Sequence, residues 1–332
     1  MDLSVIIPVY QVEQYIVSCL ESVFSQGLDE QRFEVIIVND GTRDHSMEVI
    51  ADFVSQHANI SIVEQQNQGL SVARNNGITK ARGEYIFMPD SDDLLVSDSL
   101  KDLLTVAQKQ KADIVRGQYL VMDDKDIQAG STTVVEQQPL HVEQMTGADL
   151  YLRCYNPFQS YVWRALFRRE FIVRNQITFY PGIRFQDIPF TTECYLKAGK
   201  CLETNRLLNI YRMGHESATR FFTKEKCFNF CIAISETWKL THWEGHNEQT
   251  LRRLQDNVFT NFSFMISLVS YSLPQAEERM EVLQYLLQRT PDLLFRNGMK
   301  QRLVTFLMWH APRLFLDGNY YGRRIIKQLK RR

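Results

Sequence analysis

The segment Gly83-Glu84-Tyr85-Ile86-Phe87-Met88-Pro89-Asp90-Ser91-Asp92-Asp93 places three carboxylates within four positions at the end of an apolar run. Aspartate is a poor strand former and like charges repel, so folding alone gives no reason for the cluster. A hard divalent cation bridging to a phosphorylated ligand would give one, because carboxylate oxygens are its preferred ligands. The competing reading is a polar strand-to-helix turn, with Asp93 or Ser97 capping a helix that starts near Leu100.

The elements that must position these carboxylates are legible upstream. Ser4 to Tyr10 is a short apolar run closed by Pro8-Val9-Tyr10, the pattern of a buried strand and its turn. Tyr15, Ile16, Cys19, Leu20 and Val23 then share one helical face. Phe33 to Val38 reads as a second strand, ending at Asn39-Asp40-Gly41-Thr42, and a helix follows over Met47 to Val54. Ile60 to Val63 is a third strand, Ser71 to Lys80 a helix, and Tyr85 to Met88 a fourth strand. Alternation of strand and helix predicts an α/β fold, an open and mostly parallel sheet with helices on both faces. Ligands of such sheets bind beyond the carboxyl ends of the strands, where Pro8-Val9-Tyr10, Asp40-Gly41 and Asp90-Ser91-Asp92 all fall.

These residues resemble the family 2 glycosyltransferases. The resemblance rests on Val5-Ile6-Ile7-Pro8-Val9-Tyr10, Val38-Asn39-Asp40-Gly41-Thr42-Arg43-Asp44, Asn67-Gln68-Gly69-Leu70-Ser71-Val72-Ala73-Arg74-Asn75 and Asp90-Ser91-Asp92-Asp93. Tyr161 to Phe167 and Phe185-Gln186-Asp187-Ile188-Pro189-Phe190 also fit, so the motifs cover residues 3–215 in order. The resemblance implies a glycosyltransferase A type nucleotide-binding sheet over residues 1–219, followed by a helical C-terminal region over 220–332. It implies transfer of a sugar, with inversion, from a nucleoside diphosphate donor, UDP above others, to a glycan or lipid-linked glycan acceptor. It also implies a divalent metal, Mn²⁺ or Mg²⁺, and a place in surface polysaccharide or lipopolysaccharide assembly.

The resemblance assigns roles residue by residue. Pro8, Val9 and Tyr10 match the wall against which the donor base stacks, although core packing is the better reading for Val9. Asp40 matches the acceptor of the base N–H, a task that suits a carboxylate because it only accepts; a turn opener before Gly41 is the alternative. Asp90, with Ser91 beside it, matches the residue near the ribose, and Asp92 the metal ligand. Arg74 would face phosphate or hold Asp90 or Asp92, unless it lies on a solvated helix face. Asp187 matches the general base that takes the acceptor proton, or is a helix N-cap with Pro189 in the first turn. Relatives often carry Glu where this chain has Gln186. Trp163 matches an acceptor-side position, with a buried core residue an equal or better reading. Arg212, His215 and Ser217 lie where relatives close over the diphosphate.

At 332 residues the chain suits one sizeable domain with an appendage. A formal net charge of −1 leaves no nucleic-acid footprint. Cys227 and Cys231 are four apart in a helical pattern, which suggests packing rather than zinc. Free thiols, the lack of a leader pattern and the lack of a long apolar run together give a cytoplasmic expectation. Asp123 to Gln144 reads as an exposed polar excursion. Helical periodicity runs over 225–243, 248–271 and 274–288. The last fourteen residues hold six Lys or Arg and no acid, and Tyr321, Ile325 and Leu329 would share a helical face. Such an end can lie on an anionic bilayer at the inner face of the cytoplasmic membrane, or be a solvated tail. Two other functions fit part of the pattern: a nucleotide-sugar-binding protein without turnover, and a nucleotidyltransferase. The latter would want a Gly-rich basic loop after the first strand, which Val9 to Gln14 does not supply.

Overall fold

The computed structural model describes residues 1–128, 135–214 and 223–329, with side chains to residue 322 in the last helix. His215 and Ser217 lie outside the described residues. The chain divides into two compact units. The first comprises Met1–Cys154, Tyr161–Gly182 and Cys194–Glu216; the second comprises Tyr155–Ser160, Ile183–Glu193 and Ser217–Arg332.

The first unit follows the alternation read from sequence: β1 (Leu3–Val9), α1 (Ile16–Phe24), β2 (Phe33–Asn39), α2 (Ser46–Val49), α3 (Ala51–Gln56), β3 (Ile60–Glu64), α4 (Leu70–Lys80) and β4 (Tyr85–Phe87). The helix expected over Met47 to Val54 is broken at Ile50 into α2 and α3. Then come β5 (Leu94–Leu95), α5 (Ser99–Gln110), β6 (Ile114–Asp123), α6 (Asp124–Gln128), β7 (Val142–Met145), α7 (Gly147–Cys154), β8 (Ala165–Arg168), α8 (Arg169–Arg174), α9 (Asp187–Lys197), whose residues up to Glu193 belong to the second unit, and β9 (Cys201–Met213). The excursion expected from Asp123 to Gln144 thus includes the end of β6, all of α6 and part of β7.

The sheet runs in the order β3-β2-β1-β4-β8-β6-β9-β5, with β7 also pairing β9. Strands β3, β2, β1 and β4 are mutually parallel, whereas β8 is antiparallel to both β4 and β6. Every residue of β1 is buried, which is why it reads as one apolar run rather than an alternation. Its successive side chains point to opposite faces. Leu3, Val5, Ile7 and Val9 join a core with Ile16, Leu20 and Val23 of α1 and Leu100, Leu103 and Leu104 of α5. Ile6 points the other way, toward α4. Helices therefore cover both faces of β1.

α4 approaches β1 closely because position 77 carries no side chain. A Cβ built on Gly77 would lie 2.2 Å from Ile6 Cγ2. Gly69 precedes the helix with φ 86°, a left-handed conformation that glycine adopts at little cost.

In the second unit, α10 (Lys224–Lys239), α11 (Glu248–Ser272), α12 (Ala276–Arg289), α13 (Met299–His310) and α14 (Pro312–Leu329) follow one another. Thr223 and Asn247 cap α10 and α11 through their side chains, accepting from Lys226 N and Thr250 N. Leu254, Val258, Phe262, Met265 and Val269 form the buried stripe of α11, at helical spacing. Phe295 packs its ring against Phe259 and Phe262. Cys227 and Cys231 are buried, with Cys231 Sγ 3.1 Å from Met265 Sδ, which supports their reading as packing residues.

The close approach of α4 gives a direct test. Gly77→Val adds three carbons where one already clashes, and overpacking of this kind costs about 1–3 kcal/mol. The thermal midpoint should fall; an unchanged midpoint would mean that β1 and α4 can separate freely.

Candidate active site

The acidic turn follows β4 directly and is held by arginines from two other elements. Carboxylate oxygens of Asp90, Asp92 and Asp93 all lie within 4.8 Å of one another. Arg74 of α4 donates from Nη2 to Asp90 Oδ1 at 2.5 Å. Its side chain is buried, and its guanidinium lies 5.5 Å from the Phe179 ring centre. Of the readings open for Arg74, holding Asp90 is the one that the structure places, and a solvated helix face is not. Arg212, near the end of β9, donates its backbone N–H to Asp93 Oδ1 at 2.8 Å and its Nε–H to the Asp92 carbonyl at 2.7 Å. Its Nη1 pairs with Asp124 at 2.5 Å, and the guanidinium sits 4.9 Å from the Tyr15 ring centre. The expectation that Arg212 faces a diphosphate is corrected: it is buried, and these contacts commit it to the acidic turn.

Asp93 caps no helix. α5 begins at Ser99 with Asp98 in the preceding position, and Asp93 is 2 % exposed beneath the turn. Its Oδ2 is buried without a hydrogen-bond partner. Burial, followed by the neighbouring Asp90 and Asp92, pushes its carboxyl up to about 9. Burial also raises Asp90, against the opposing pull of Arg74. An orphaned carboxylate oxygen among three clustered acids suits a bound cation or a retained proton. The donor set is all oxygen, which fits a hard divalent ion such as Mn²⁺ or Mg²⁺.

The ends of β1 and β2 form the second cluster. Pro8 and Val9 are buried, Val9 within the sheet core, while Tyr10 is 38 % exposed. Tyr10 is thus the member of the trio with a face available to a ligand. Asp40 is 3 % exposed and orders the loop before α4. Its Oδ1 accepts from Gln65 Nε2 and Gln68 N, both at 2.7 Å. Its Oδ2 accepts from Gly69 N at 2.9 Å and Asn67 Nδ2 at 3.4 Å. Asp44, to which no role was given from sequence, accepts from Thr42 Oγ1, Ser46 Oγ and Glu13 N. These bonds overcome its partial burial and hold its carboxyl down at about 2. Ser91 is buried inside the acidic turn.

An aromatic stack stands beside the acids. Trp163 is buried and near-parallel to Tyr161, at 4.6 Å and 11°, and to Tyr211, at 5.8 Å and 19°; the two tyrosines are 5.9 Å apart, so the three rings cluster, with Tyr119 edge-on to Trp163. Burial raises the Tyr211 hydroxyl, and Asp93, Asp90 and Asp92 add to the shift, so this wall borders the acidic turn. The core reading of Trp163 holds, and its two stacked tyrosines are only half-buried.

Asp187 belongs to the second unit. It is the first residue of α9 rather than its N-cap, because the Gln186 carbonyl already accepts from Phe190 N at 3.4 Å. Asp187 is half-buried. Gln186 is buried with Oε1 lacking a hydrogen-bond partner. Sequence reading missed Asp93 as a buried acid and Arg212 as a clamp. The sequence signal for Asp93 was the acidic cluster itself, and for Arg212 a cation that follows the mostly apolar Leu207-Leu208-Asn209-Ile210-Tyr211.

Residues 4–171 match the family model described as Glycosyl transferase family 2. The chain is 36% identical over 221 residues to "Uncharacterized glycosyltransferase EpsJ" of Bacillus subtilis, spanning 65% of this chain and 62% of that protein. It is 25% identical to the "Poly(ribitol-phosphate) beta-glucosyltransferase" of Bacillus spizizenii, over 86% of this chain and 44% of that protein. The chain therefore spans less than two thirds of either relative. Among solved structures it is similar to S. aureus TarS in complex with UDP-GlcNAc, with a TM-score of 0.75 at 18% identity over 98% of this chain and 92% of that chain. That likeness establishes a shared fold.

The buried acid makes a prediction about pH. Asp93 is raised in the folded state, from an unfolded carboxylate value of about 4. Its contribution to stability is therefore fully present below the unfolded value and is lost as pH rises toward the folded value of about 9. In chelator, the wild-type melting temperature should fall between pH 5 and pH 8. Asp93→Asn, a neutral group of the same shape, should flatten that fall. Equal slopes for the two proteins would show that Asp93 is ionised in the cation-free fold.

Proposed function

The chain belongs to glycosyl transferase family 2, and from that premise we propose that it transfers a sugar, with inversion, from a nucleoside diphosphate donor to a hydroxyl of a glycan or lipid-linked glycan. The observation that carries this reading is the acidic turn: three carboxylates gathered at a strand end, one with a buried oxygen lacking a partner. Asp92, with Asp90 and Asp93 beside it, would hold a divalent cation, whose chemistry is to neutralise charge on the departing diphosphate. UDP is the preferred donor nucleotide; the similar fold of TarS, solved with UDP-GlcNAc, supports that choice. A role in surface polysaccharide assembly is supported by the poly(ribitol-phosphate) glucosyltransferase among the relatives.

In the proposed reaction Tyr10 stacks on the donor base and Asp40 accepts its N–H. Arg74 fixes Asp90 near the ribose, and Ser91 stays within the turn. Pro8 and Val9 back the base from the core, and His215 lies in the segment expected to close over the diphosphate. Asp187 takes the acceptor proton as the new bond from oxygen to the anomeric carbon forms. The bond from that carbon to the phosphate oxygen breaks, and its electron pair leaves with the nucleoside diphosphate. The start of a helix is a fixed place from which to aim a carboxylate. The basic C-terminal tail would bring the enzyme to an anionic membrane surface, on the cytoplasmic side, where a lipid-linked acceptor is found. Among the described residues no helix is long and apolar enough to cross a membrane.

A screen of nucleotide sugars for cation-dependent turnover tests the reading. Asp187→Asn should lower turnover about 10²–10⁴-fold, the usual loss with a general base, while the nucleotide dissociation constant and melting temperature stay near wild type. Near-normal turnover would remove Asp187 as the base. Asp92→Asn should keep the fold and lose most cation-dependent turnover, at a cost of several kcal/mol in barrier, on the order of 10²-fold or more in rate. Full wild-type activity in chelator would rule out the cation.

A further inference from the structure

We propose that α13 presents an interfacial face that inserts into an anionic lipid bilayer, a contact separate from the tail. Met299, Leu303 and Phe306 are 90%, 58% and 58% exposed. At about 100° per residue they fall within one narrow stripe of the helix, and the buried Met308 lies on the opposite side. Single exposed apolar residues are ordinary, but three aligned on one short helix form a face with no partner among the described residues.

Charge identifies the occupant. Lys300 and Arg302 flank the stripe on its two sides, and both are exposed. Between Arg296 and Arg302 opens a cleft of about 560 Å³, walled by Leu294, Phe295, Phe306 and Trp309. Arg302 Nε donates to the Arg296 carbonyl at 3.2 Å, so the rim of the cleft is basic and ordered. On α14, Leu314 and Tyr321 are 67% and 60% exposed and two turns apart, with the exposed Arg313 beside Leu314. Residues 293–322, before the tail, carry four Lys or Arg and one acid, Asp317. Asp317 is itself paired with Arg279 at 2.8 Å, so it does not offset the exposed cations. An apolar stripe bordered by cations is the composition of a helix that lies in the interface of an anionic bilayer. A second copy of the chain would bring the same cations and repel.

The inference is independent of the tail contact proposed above, and vesicle cosedimentation separates the two. The full chain is mixed at low salt with vesicles of phosphatidylglycerol and phosphatidylcholine, or of phosphatidylcholine alone. Wild type should bind the anionic vesicles and release with salt as the charge contacts are screened. Leu303→Ser with Phe306→Ser should weaken binding by about tenfold or more, with and without the residues after 322. Lys300→Glu with Arg302→Glu should do the same, and all variants should keep the wild-type melting temperature because these positions are exposed. Leu303→Gln with Phe306→Gln repeats the test should the serine pair misfold. Wild-type binding by the serine pair overturns the proposal. So does a wild type that ignores anionic vesicles, or one that self-associates through this face in sedimentation and becomes monomeric in the serine pair. Loss of binding on truncation after 322, with the serine pair still bound, would leave the tail reading standing and remove this one.

Discussion

Three carboxylates packed into a few ångströms at a strand end repel one another, and the first unit is built around opposing that repulsion. Two buried arginines do it from different elements. Arg74 reaches Asp90 from α4, and Arg212 reaches Asp93, Asp92 and Asp124 from β9. A buried guanidinium is costly unless it is paired, so the acids stabilise the arginines as much as the reverse. Neither set would be stable at this depth without the other. Even so, Asp93 Oδ2 has no hydrogen-bond partner among the described residues. A buried carboxylate oxygen left so at the ligand-binding edge of a parallel sheet supports the cation site proposed above.

Placing Arg74 there depends on packing several residues away. α4 has to lie against β1 closely enough for its third residue from Gly77 to reach the end of β4. Gly77 removes the side chain that would hold the helix off Ile6, and Gly69 lets the chain turn into the helix. The sequence motif from Asn67 to Asn75 is therefore as much a packing instruction as a binding one. Asn75 uses its side chain to tie α4 to the Phe179 backbone in both directions, at 2.8 and 2.9 Å.

What could be read from sequence was what periodicity and local chemistry record. The parallel strands β1 to β4 were legible because each is a short, mostly apolar run ended by a polar or turn residue: Pro8, Asp40-Gly41, Glu64 and Pro89-Asp90. The three helices α10 to α12 were legible because their apolar residues recur every three or four positions. β6, β8 and β9 were not, because the choice of partner in a mixed sheet, β6 beside β9 in parallel and β8 antiparallel to β4 and β6, leaves no local mark. Arg212 was misread for the same reason. Its partners Asp92, Asp93 and Asp124 are about ninety to 120 residues away in the chain, and only the pairing of β5 and β6 with β9 brings them together. Of the two readings open for Asp93, beside a metal ligand or a helix cap, the cap was preferred because an Asp before a helix is usually one. Here β5 intervenes, and the side chain turns inward.

Asp40 does not open the turn before Gly41, where Thr42 N donates to Asn39 Oδ1 instead; its carboxylate is turned to the loop before α4. An ionised carboxylate has about four acceptor directions, and all are used within the fold. Gln68 N and Gly69 N are fixed backbone donors whose loss would unwind the entry to α4. Gln65 Nε2 and Asn67 Nδ2 are side-chain amides, and the Asn67 bond is the longest of the four at 3.4 Å. A donor base that offers an N–H to Asp40 must therefore replace an amide, and Asn67 is the one held least tightly by the carboxylate. Asn67 Nδ2 also donates to the Asp40 carbonyl at 3.1 Å, so it can turn away from the carboxylate without becoming an orphan. The two backbone bonds keep the carboxylate aimed during such an exchange. On the proposed reading, the aspartate that orders the loop before α4 would also accept from a base in the loaded protein.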